Sequence, residues 1–403
     1  MKFSKLSQLF LVSIIGLAGS ALLTSCAIVT IDYVFVGNST GSGAGSAGQI
    51  QTYDADSETG ALRSGAKAVP SGGINPISMA TSSDYANLYV VNEGSNNVVH
   101  FSITGSGILT QKEMVTTSAT PVFVAVNTAE TYLYVVSGPN PSVLTAYSLS
   151  SGAIGSMTAQ VPLTLPSYAT DTIVPTGVNV LANNGAVYVS AYDLSAYNPG
   201  GPVSSTANPG WVFGYTVGSG GTLTLASGSP YQAGVKPSAL ASDPTNRFLY
   251  VTDFASNEII GYTIQSGSIL DFLINGPFKT GNEPNAIALD PRGKYLYVSN
   301  GLDSTVSAYV IDLSTGTPSA AVNVTGSQQN STDTTPVAII VDAALGRFVY
   351  TANQRGNSVS GFVLNPTTGA LKATQSGPYP TGDQPSSLAS VPHGNHSIQT
   401  VSP

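Results

Sequence analysis

The sequence has 403 residues, of which only 8% are charged, together with 43 Gly and a formal net charge of −8. An average soluble domain is roughly a quarter charged, so turn-forming and β-favouring residues dominate this chain. Its 13 Lys and Arg are scattered and form no positive stripe for a phosphate backbone, which argues against nucleic acid as a partner. Beyond the first 30 residues, no apolar run approaches the roughly 18 residues that a spanning helix needs.

In chain order, the first element is a leader. Lys2 and Lys5 precede an apolar run over residues 9–23, and Leu23-Thr24-Ser25-Cys26 follows. A charged n-region, an apolar h-region and a small-residue cleavage site form a secretory signal. The last four residues resemble the lipobox of bacterial lipoproteins, in which cleavage falls just before a cysteine that is then lipidated. The alternative is an ordinary leader that happens to contain a Cys. Cys26 is the only cysteine, and once lipidated it leaves no thiol for disulfide, metal or catalytic work. Attachment then comes from acyl chains, at about 0.8 kcal/mol per buried methylene. The expected protein is exported, a cell-membrane or outer-membrane lipoprotein with its body in the periplasm or on the cell surface.

A repeat occupies the rest. Phe35-Val36-Gly37-Asn38, Tyr89-Val90-Val91-Asn92, Tyr134-Val135-Val136-Ser137, Tyr188-Val189-Ser190-Ala191, Tyr250-Val251-Thr252-Asp253, Tyr297-Val298-Ser299-Asn300 and Tyr350-Thr351-Ala352-Asn353 are seven copies of one short strand. Pro76, Pro121, Pro175, Pro237 and Pro284 each stand 13 positions before the Tyr, and Pro336 stands 14 before Tyr350. An aromatic follows each copy, at Tyr53, Phe101, Tyr147, Tyr215, Tyr262, Tyr309 and Phe362, and a turn Gly follows that, at Gly60, Gly107, Gly152, Gly221, Gly267, Gly316 and Gly369. Each unit therefore reads as four short strands: a opened by Pro, b with the Tyr-Val marker, c with the later aromatic, and d after the Gly turn. A period of about 50 residues built from strands is that of propeller blades, not of helical solenoids.

The first copy lacks strand a, and Pro385 opens a final strand a, Gln384-Pro385-Ser386-Ser387-Leu388-Ala389-Ser390-Val391, with no b after it. The two fragments complete one blade. The expected fold is thus all-β, a seven-bladed β-propeller of four-stranded antiparallel blades closed by the C-terminal strand pairing with the N-terminal blade. The expected organisation is a leader over 1–25, a tether over 26–32, the propeller over 33–392 and a tail over 393–403.

Asp290-Pro291-Arg292-Gly293-Lys294-Tyr295-Leu296-Tyr297-Val298-Ser299-Asn300, Asn357-Ser358-Val359-Ser360-Gly361-Phe362 and Asn365-Pro366-Thr367-Thr368-Gly369-Ala370-Leu371 resemble blades of the lactonase family of β-propellers. That family includes propeller-type 6-phosphogluconolactonases and shades into YVTN-repeat surface proteins. The resemblance covers roughly residues 33 to 391 and is specific for fold, whereas the motif is poor evidence for activity.

Strands a and b form a hairpin, so the start of a and the end of b meet at one mouth of the central channel, the default ligand site. Asn38, Asn92, Asp253, Asn300 and Asn353 stand there, either as ligand-binding groups or as turn formers that bond their own backbone. Glu93 and Arg355 lie beside them. Val91-Asn92-Glu93 resembles an Asn-Glu pair of the lactonase enzymes, and Arg355 lies in a stretch similar to the family's Asn-Arg-Gly-His, displaced by one and without the His. These are the two candidate catalytic residues, each with a solvated loop residue as its alternative. The family's Arg-His pair after a strand-opening Pro is replaced by Ser238, Asn285 and Val337 after Pro237, Pro284 and Pro336. Of the three histidines, His100 falls within strand c and reads as structural, and His393 and His396 fall in the tail.

The b-to-c turn of the fourth copy, residues 192–210, is about fifteen residues longer than its short neighbours and carries Tyr192, Tyr197 and then Trp211 toward the mouth. Aromatics at a rim suit sugars or apolar ligands; a plain Gly, Pro and Ser insertion is the alternative. No metal spacing, phosphate-cradling loop or cofactor motif is present. The expected function is a membrane-anchored binding or interaction module that takes a small molecule, glycan or protein at the mouth. The alternative is a lactone hydrolase acting on a non-phosphorylated lactone.

Overall fold

The seven marker segments form strands where the sequence places them, in a computed structural model that describes residues 29–39, 47–165, 172–197 and 209–394. They are Thr30–Asn38, Asn87–Asn92, Tyr132–Ser137, Ala186–Asp193, Phe248–Asp253, Tyr295–Asn300 and Phe348–Asn353. Asn87–Asn92, Phe248–Asp253, Tyr295–Asn300 and Phe348–Asn353 are buried at every residue. A strand covered on both faces requires a continuous apolar run in place of an alternating one, which is what these segments carry. Each is the b strand of its own sheet, and there are seven sheets; we number the blades by these strands.

The leader and Cys26 lie outside the described residues, as do His396 and most of the fourth copy's long turn.

Strand a opens at the expected Pro in six blades: Pro385–Pro392 in blade 1, Pro76–Thr81 in 2, Pro121–Val126 in 3, Pro237–Ser242 in 5, Pro284–Leu289 in 6 and Pro336–Val341 in 7. In blade 4, Ile173–Val180 begins two residues before Pro175. Pro76 lies opposite Asn92, Pro237 opposite Asp253, Pro284 opposite Asn300 and Pro336 opposite Asn353. In all seven blades the register slips directly after the Pro. Proline has no N–H to continue the ladder, and the resulting bulge re-aims the next side chain. Ser238 Oγ then donates to the Pro284 carbonyl at 2.5 Å, and Asn285 Nδ2 to the Pro336 carbonyl at 3.1 Å, each linking one blade to the next.

The C-terminal strand closes the ring. It pairs antiparallel with Thr30–Asn38, from Asp32 opposite Pro392 to Asn38 opposite Pro385. Every inner strand neighbours the inner strands of the two adjacent blades, round a complete circuit. There is no single core; seven apolar clusters each fill one seam between blades, including Val34, Phe348 and Tyr350 between blades 7 and 1.

The repeated Tyr and Gly are two halves of one seam contact. Tyr89 hydroxyl donates to the Gly152 carbonyl at 2.6 Å, Tyr250 to Gly316 at 2.7 Å, Tyr297 to Gly369 at 2.9 Å and Tyr350 to Gly60 at 2.9 Å. Gly369 has φ +71°, and a Cβ there would lie 2.3 Å from Tyr295 Cδ1. Only glycine both adopts that conformation without strain and leaves room for the neighbouring ring. The aromatic of strand c makes a second seam bond in the opposite direction: Tyr309 hydroxyl donates to the Lys279 carbonyl of the preceding blade at 2.6 Å.

The closing seam also buries two carboxyls. Asp342 accepts the N–H groups of Leu345 at 2.9 Å, Gly346 at 3.2 Å and Phe348 at 2.6 Å, and that of Arg347. Asp32 accepts one, from Ala344 at 3.1 Å. Burial pushes both above the usual carboxylate range, and the Asp342 charge pushes Asp32 further. The donors favour ionised Asp342, so Asp32 holds the proton.

The outer edge differs from the expected single strand d. Blades 2 and 3 have continuous outer strands, Leu109–Thr116 and Ala153–Pro162. In the other five blades two short segments share the place, as Leu371–Ala373 and Tyr379–Pro380 do in blade 7. Pro230, Pro277 and Pro378 stand between such segments, where a residue without an N–H ends the ladder.

Candidate functional site

The inner strands form the channel wall, and none of the seven contains Asp, Glu, Lys, Arg, His or Cys. Ionisable chemistry is confined to the two ends, and at the mouth formed by the starts of a and the ends of b it sits in the loops.

Asn92, Asp253, Asn300 and Asn353 are fully buried at the ends of their b strands. Their polar atoms are taken up by neighbouring turns. Asn92 Oδ1 accepts from Ser71 Oγ at 2.7 Å while its Nδ2 donates to Asn97 Oδ1 at 2.9 Å. Asn300 accepts the Gly281 N–H at 3.1 Å and donates to Ser307 Oγ at 2.9 Å. Asn353 Nδ2 donates to Ser360 Oγ at 2.9 Å, and Thr381 Oγ1 donates to Asn38 Oδ1 at 3.2 Å. These residues shape the loops between blades, and a ligand would meet the loops.

Glu93 opens a short 3-10 turn, Glu93–Ser95, and is half-buried. Its carboxylate accepts from Asn75 Nδ2 at 2.6 Å, and Asn75 Oδ1 accepts from Ser39 Oγ at 2.6 Å. Arg355 is exposed on blade 7, and no ion pair joins it to Glu93. His100 lies away from the mouth, with Nδ1 2.9 Å from Glu113 Oε1 and Nε2 2.8 Å from Asn87 Oδ1, stacked on Tyr89.

The aromatics of the fourth copy separate. Strand c of blade 4 is Gly210–Val217, and Trp211 stands opposite Ala191, whereas Tyr192 stands opposite Gly210. Successive side chains alternate across a sheet. Trp211 therefore packs into the seam between blades 3 and 4, while Tyr192 faces blade 5. Tyr197 joins Tyr192, their ring centroids 5.4 Å apart and edge to face. The turn that delivers it is held by Asp193, whose carbonyl accepts the Tyr197 N–H at 3.0 Å and whose carboxylate accepts the Ser195 N–H at 2.8 Å.

Between these rings lies Lys236, the residue before Pro237. Its Nζ is 5.6 Å from the centroid of Tyr192, 5.2 Å from that of Tyr197 and 4.4 Å from that of Phe254. Among the described residues it forms no ion pair. Burial lowers its ammonium below the ordinary lysine range, and the Glu283 carboxylate works against that shift. Asp253 sets the position of the loop, accepting the N–H groups of Val235 at 2.7 Å and Lys236 at 3.0 Å, and of Ala255 at 3.0 Å on its other side. Where Asn92, Asn300 and Asn353 end the b strands of blades 2, 6 and 7, blade 5 has Asp253, which supplies a second carboxylate oxygen where Asn would offer an N–H. That difference was the signal in the sequence for this loop; Lys236 itself carried none.

Two clefts of about 290 Å³ and 320 Å³ lie at seams toward the outer strands, the first lined by Asp333, Ser360 and Thr374, the second by Gln232, Glu258 and Phe272. Neither includes an inner-strand residue.

The fold has close relatives in shape. The periplasmic gluconolactonase of Pseudomonas aeruginosa is 21% identical, with a TM-score of 0.71 over 90% of this chain and 99% of that chain. A candidate 6-phosphogluconolactonase of Bacteroides fragilis is 19% identical, with a TM-score of 0.69 over 91% of this chain and 99% of that one. A protein from Lactobacillus plantarum is 19% identical, with a TM-score of 0.70 over 90% and 100%. No curated protein matches the sequence significantly. The family model for the lactonase, 7-bladed beta-propeller, matches residues 33–398, the whole repeat from the first marker strand through the closing strand, and the chain therefore belongs to the lactonase family of seven-bladed β-propellers.

Proposed function

We propose that this propeller is a membrane-anchored, extracytoplasmic binding module that holds a small ligand at the loop-lined channel mouth without hydrolysing it. The observation that carries this reading is the channel wall: seven inner strands without an ionisable side chain offer neither the Arg-His pair that the family resemblance implies nor any other general base. Glu93 and Arg355 stand on blades 2 and 7, and a carboxylate tied to Asn75 is poorly placed to move protons in concert with that Arg. The anchor rests on Cys26 and the leader before it. The acidic chain, at net −8, disfavours a phosphorylated ligand.

Hydrolysis of a non-phosphorylated lactone is the second reading, and membership of the lactonase family favours it. Purified protein assayed against simple lactones, beside Glu93→Gln, separates the two. The binding module gives no turnover above buffer; turnover abolished by Glu93→Gln would replace it with the hydrolase. Incorporation of labelled palmitate, lost in Cys26→Ser, tests the anchor.

A further inference from the structure

We propose that the rim between blades 4 and 5 is a binding site for a sugar acid, with Lys236 receiving the carboxylate and the rings of Tyr192, Tyr197 and Phe254 receiving the ring face. This names the ligand class for the mouth and rests on the reading that the mouth binds a small molecule.

The argument starts from the cost of keeping a half-buried ammonium. A buried cation is ordinarily paired with a carboxylate, because desolvation costs more than packing returns. Lys236 has no such partner among the described residues and is held by three ring faces at 4.4 to 5.6 Å. Ring quadrupoles stabilise the charge but supply no hydrogen-bond acceptor, so the three N–H donors of the ammonium stay available to a ligand. Two other elements fix the arrangement: the buried Asp253 holds the backbone of the loop, and Asp193 holds the turn that carries Tyr197.

Each ligand feature follows from a group present. An anionic oxygen matches the free ammonium. A flat, C–H-bearing ring face matches half-exposed Tyr and Phe rings better than a flexible acyl chain, since it buries area without losing rotamer freedom. The Glu283 carboxylate of the next blade raises the pKa of the Lys236 ammonium without forming an ion pair with it, and its backbone is fixed by Asn257, which accepts its N–H at 2.9 Å. Glu283 also disfavours a ligand with a second negative charge, so a monoanionic pyranose carboxylate fits the set.

Binding of D-glucuronate, D-glucose and acetate to the mature chain by titration calorimetry tests this directly. The expected result is saturable binding of glucuronate, about tenfold or more tighter than of either control, because each control lacks one of the two matched features. Lys236→Met should lose that preference with the melting temperature retained, and Lys236→Arg should keep it. Equal affinity for glucuronate and glucose, or glucuronate bound as tightly by Lys236→Met, would overturn the proposal. Glucuronate binding that needs Lys236, in a protein that also hydrolyses lactones through Glu93, keeps this site and removes the non-catalytic reading. No response to glucuronate in a protein inert to lactones removes the site and leaves the binding module standing.

Discussion

This charge-poor propeller buries ionisable groups both at the seam where the chain ends meet and at the rim between blades 4 and 5, and it treats them in opposite ways. At the closing seam, Asp342 is surrounded by backbone N–H donors and Asp32 is left with a single one, so the pair resolves its repulsion by keeping a proton. At the rim, Lys236 stands against three rings and has no ion-pair partner among the described residues. The first arrangement is closed on itself and stabilises the ring. The second, on our proposal, is completed by a ligand. In a fold whose repeats are nearly all structural, an unfinished bonding pattern separates a site from a scaffold better than residue type does.

The comparison can be broken or sharpened experimentally. The largest effect should come from ending the chain at Asp383, which removes the whole closing strand. Thr30–Asn38 then becomes an open inner edge, and we expect no cooperative melt by circular dichroism and a tendency to aggregate. A truncated protein that melts within a few degrees of the parent would mean that the closing seam holds little together.

Asp32→Asn tests the proton held there. A carboxyl whose folded-state value is raised contributes stability that is full below its unfolded value, near 4, and is lost as pH rises through the folded value. The parent should therefore lose stability from mildly acidic toward neutral pH at this position, and the neutral amide should not. We expect the melting-temperature difference between pH 5 and pH 8 to shrink by about 2 °C or more in Asp32→Asn. An unchanged difference would place the proton elsewhere.

The smallest effects compare equivalent seam bonds. Tyr350 donates to Gly60 across the closing seam and Tyr188 to Ser268 between blades 4 and 5, both at 2.9 Å. Each Tyr→Phe change should cost about 0.5–1.5 kcal/mol by denaturant unfolding, with similar values at the two seams. Tyr134, whose buried hydroxyl has no partner among the described residues, should lose close to nothing on the same change. A much larger cost at Tyr350 than at Tyr188 would mark the closing seam as the weak point of the ring.

The scaffold was legible because its rules repeat. Seven marker strands opened by Tyr or Phe, the opening prolines and the turn glycines are local signals, and the split blade follows from a strand a at one end and its absence at the other. A single outer strand per blade is too simple for five of the blades, and Pro230, Pro277 and Pro378 are the ladder breakers in three of them. The rim was harder to read. Lys236, Phe254 and Tyr197 come from three loops on two blades, and no sequence spacing brings them together. Nearness along the chain groups Trp211 with Tyr192, whereas side-chain alternation sends them to opposite faces of one sheet. Asn92, Asp253, Asn300 and Asn353 were placed at the right end of their strands, but burial turns their polar atoms toward the chain's own loops.

The split first blade also dictates the order of events during synthesis. Six blades are contiguous in the chain and can assemble as they emerge, but the first sheet waits for partners made more than three hundred residues later, as the pairing of Asp32 with Pro392 shows. Contacts that distant are slow to find and leave hydrophobic edges uncovered meanwhile. The nascent protein is thus an open, unlocked array until its last stretch is available, and the final step of folding latches all seven sheets at once.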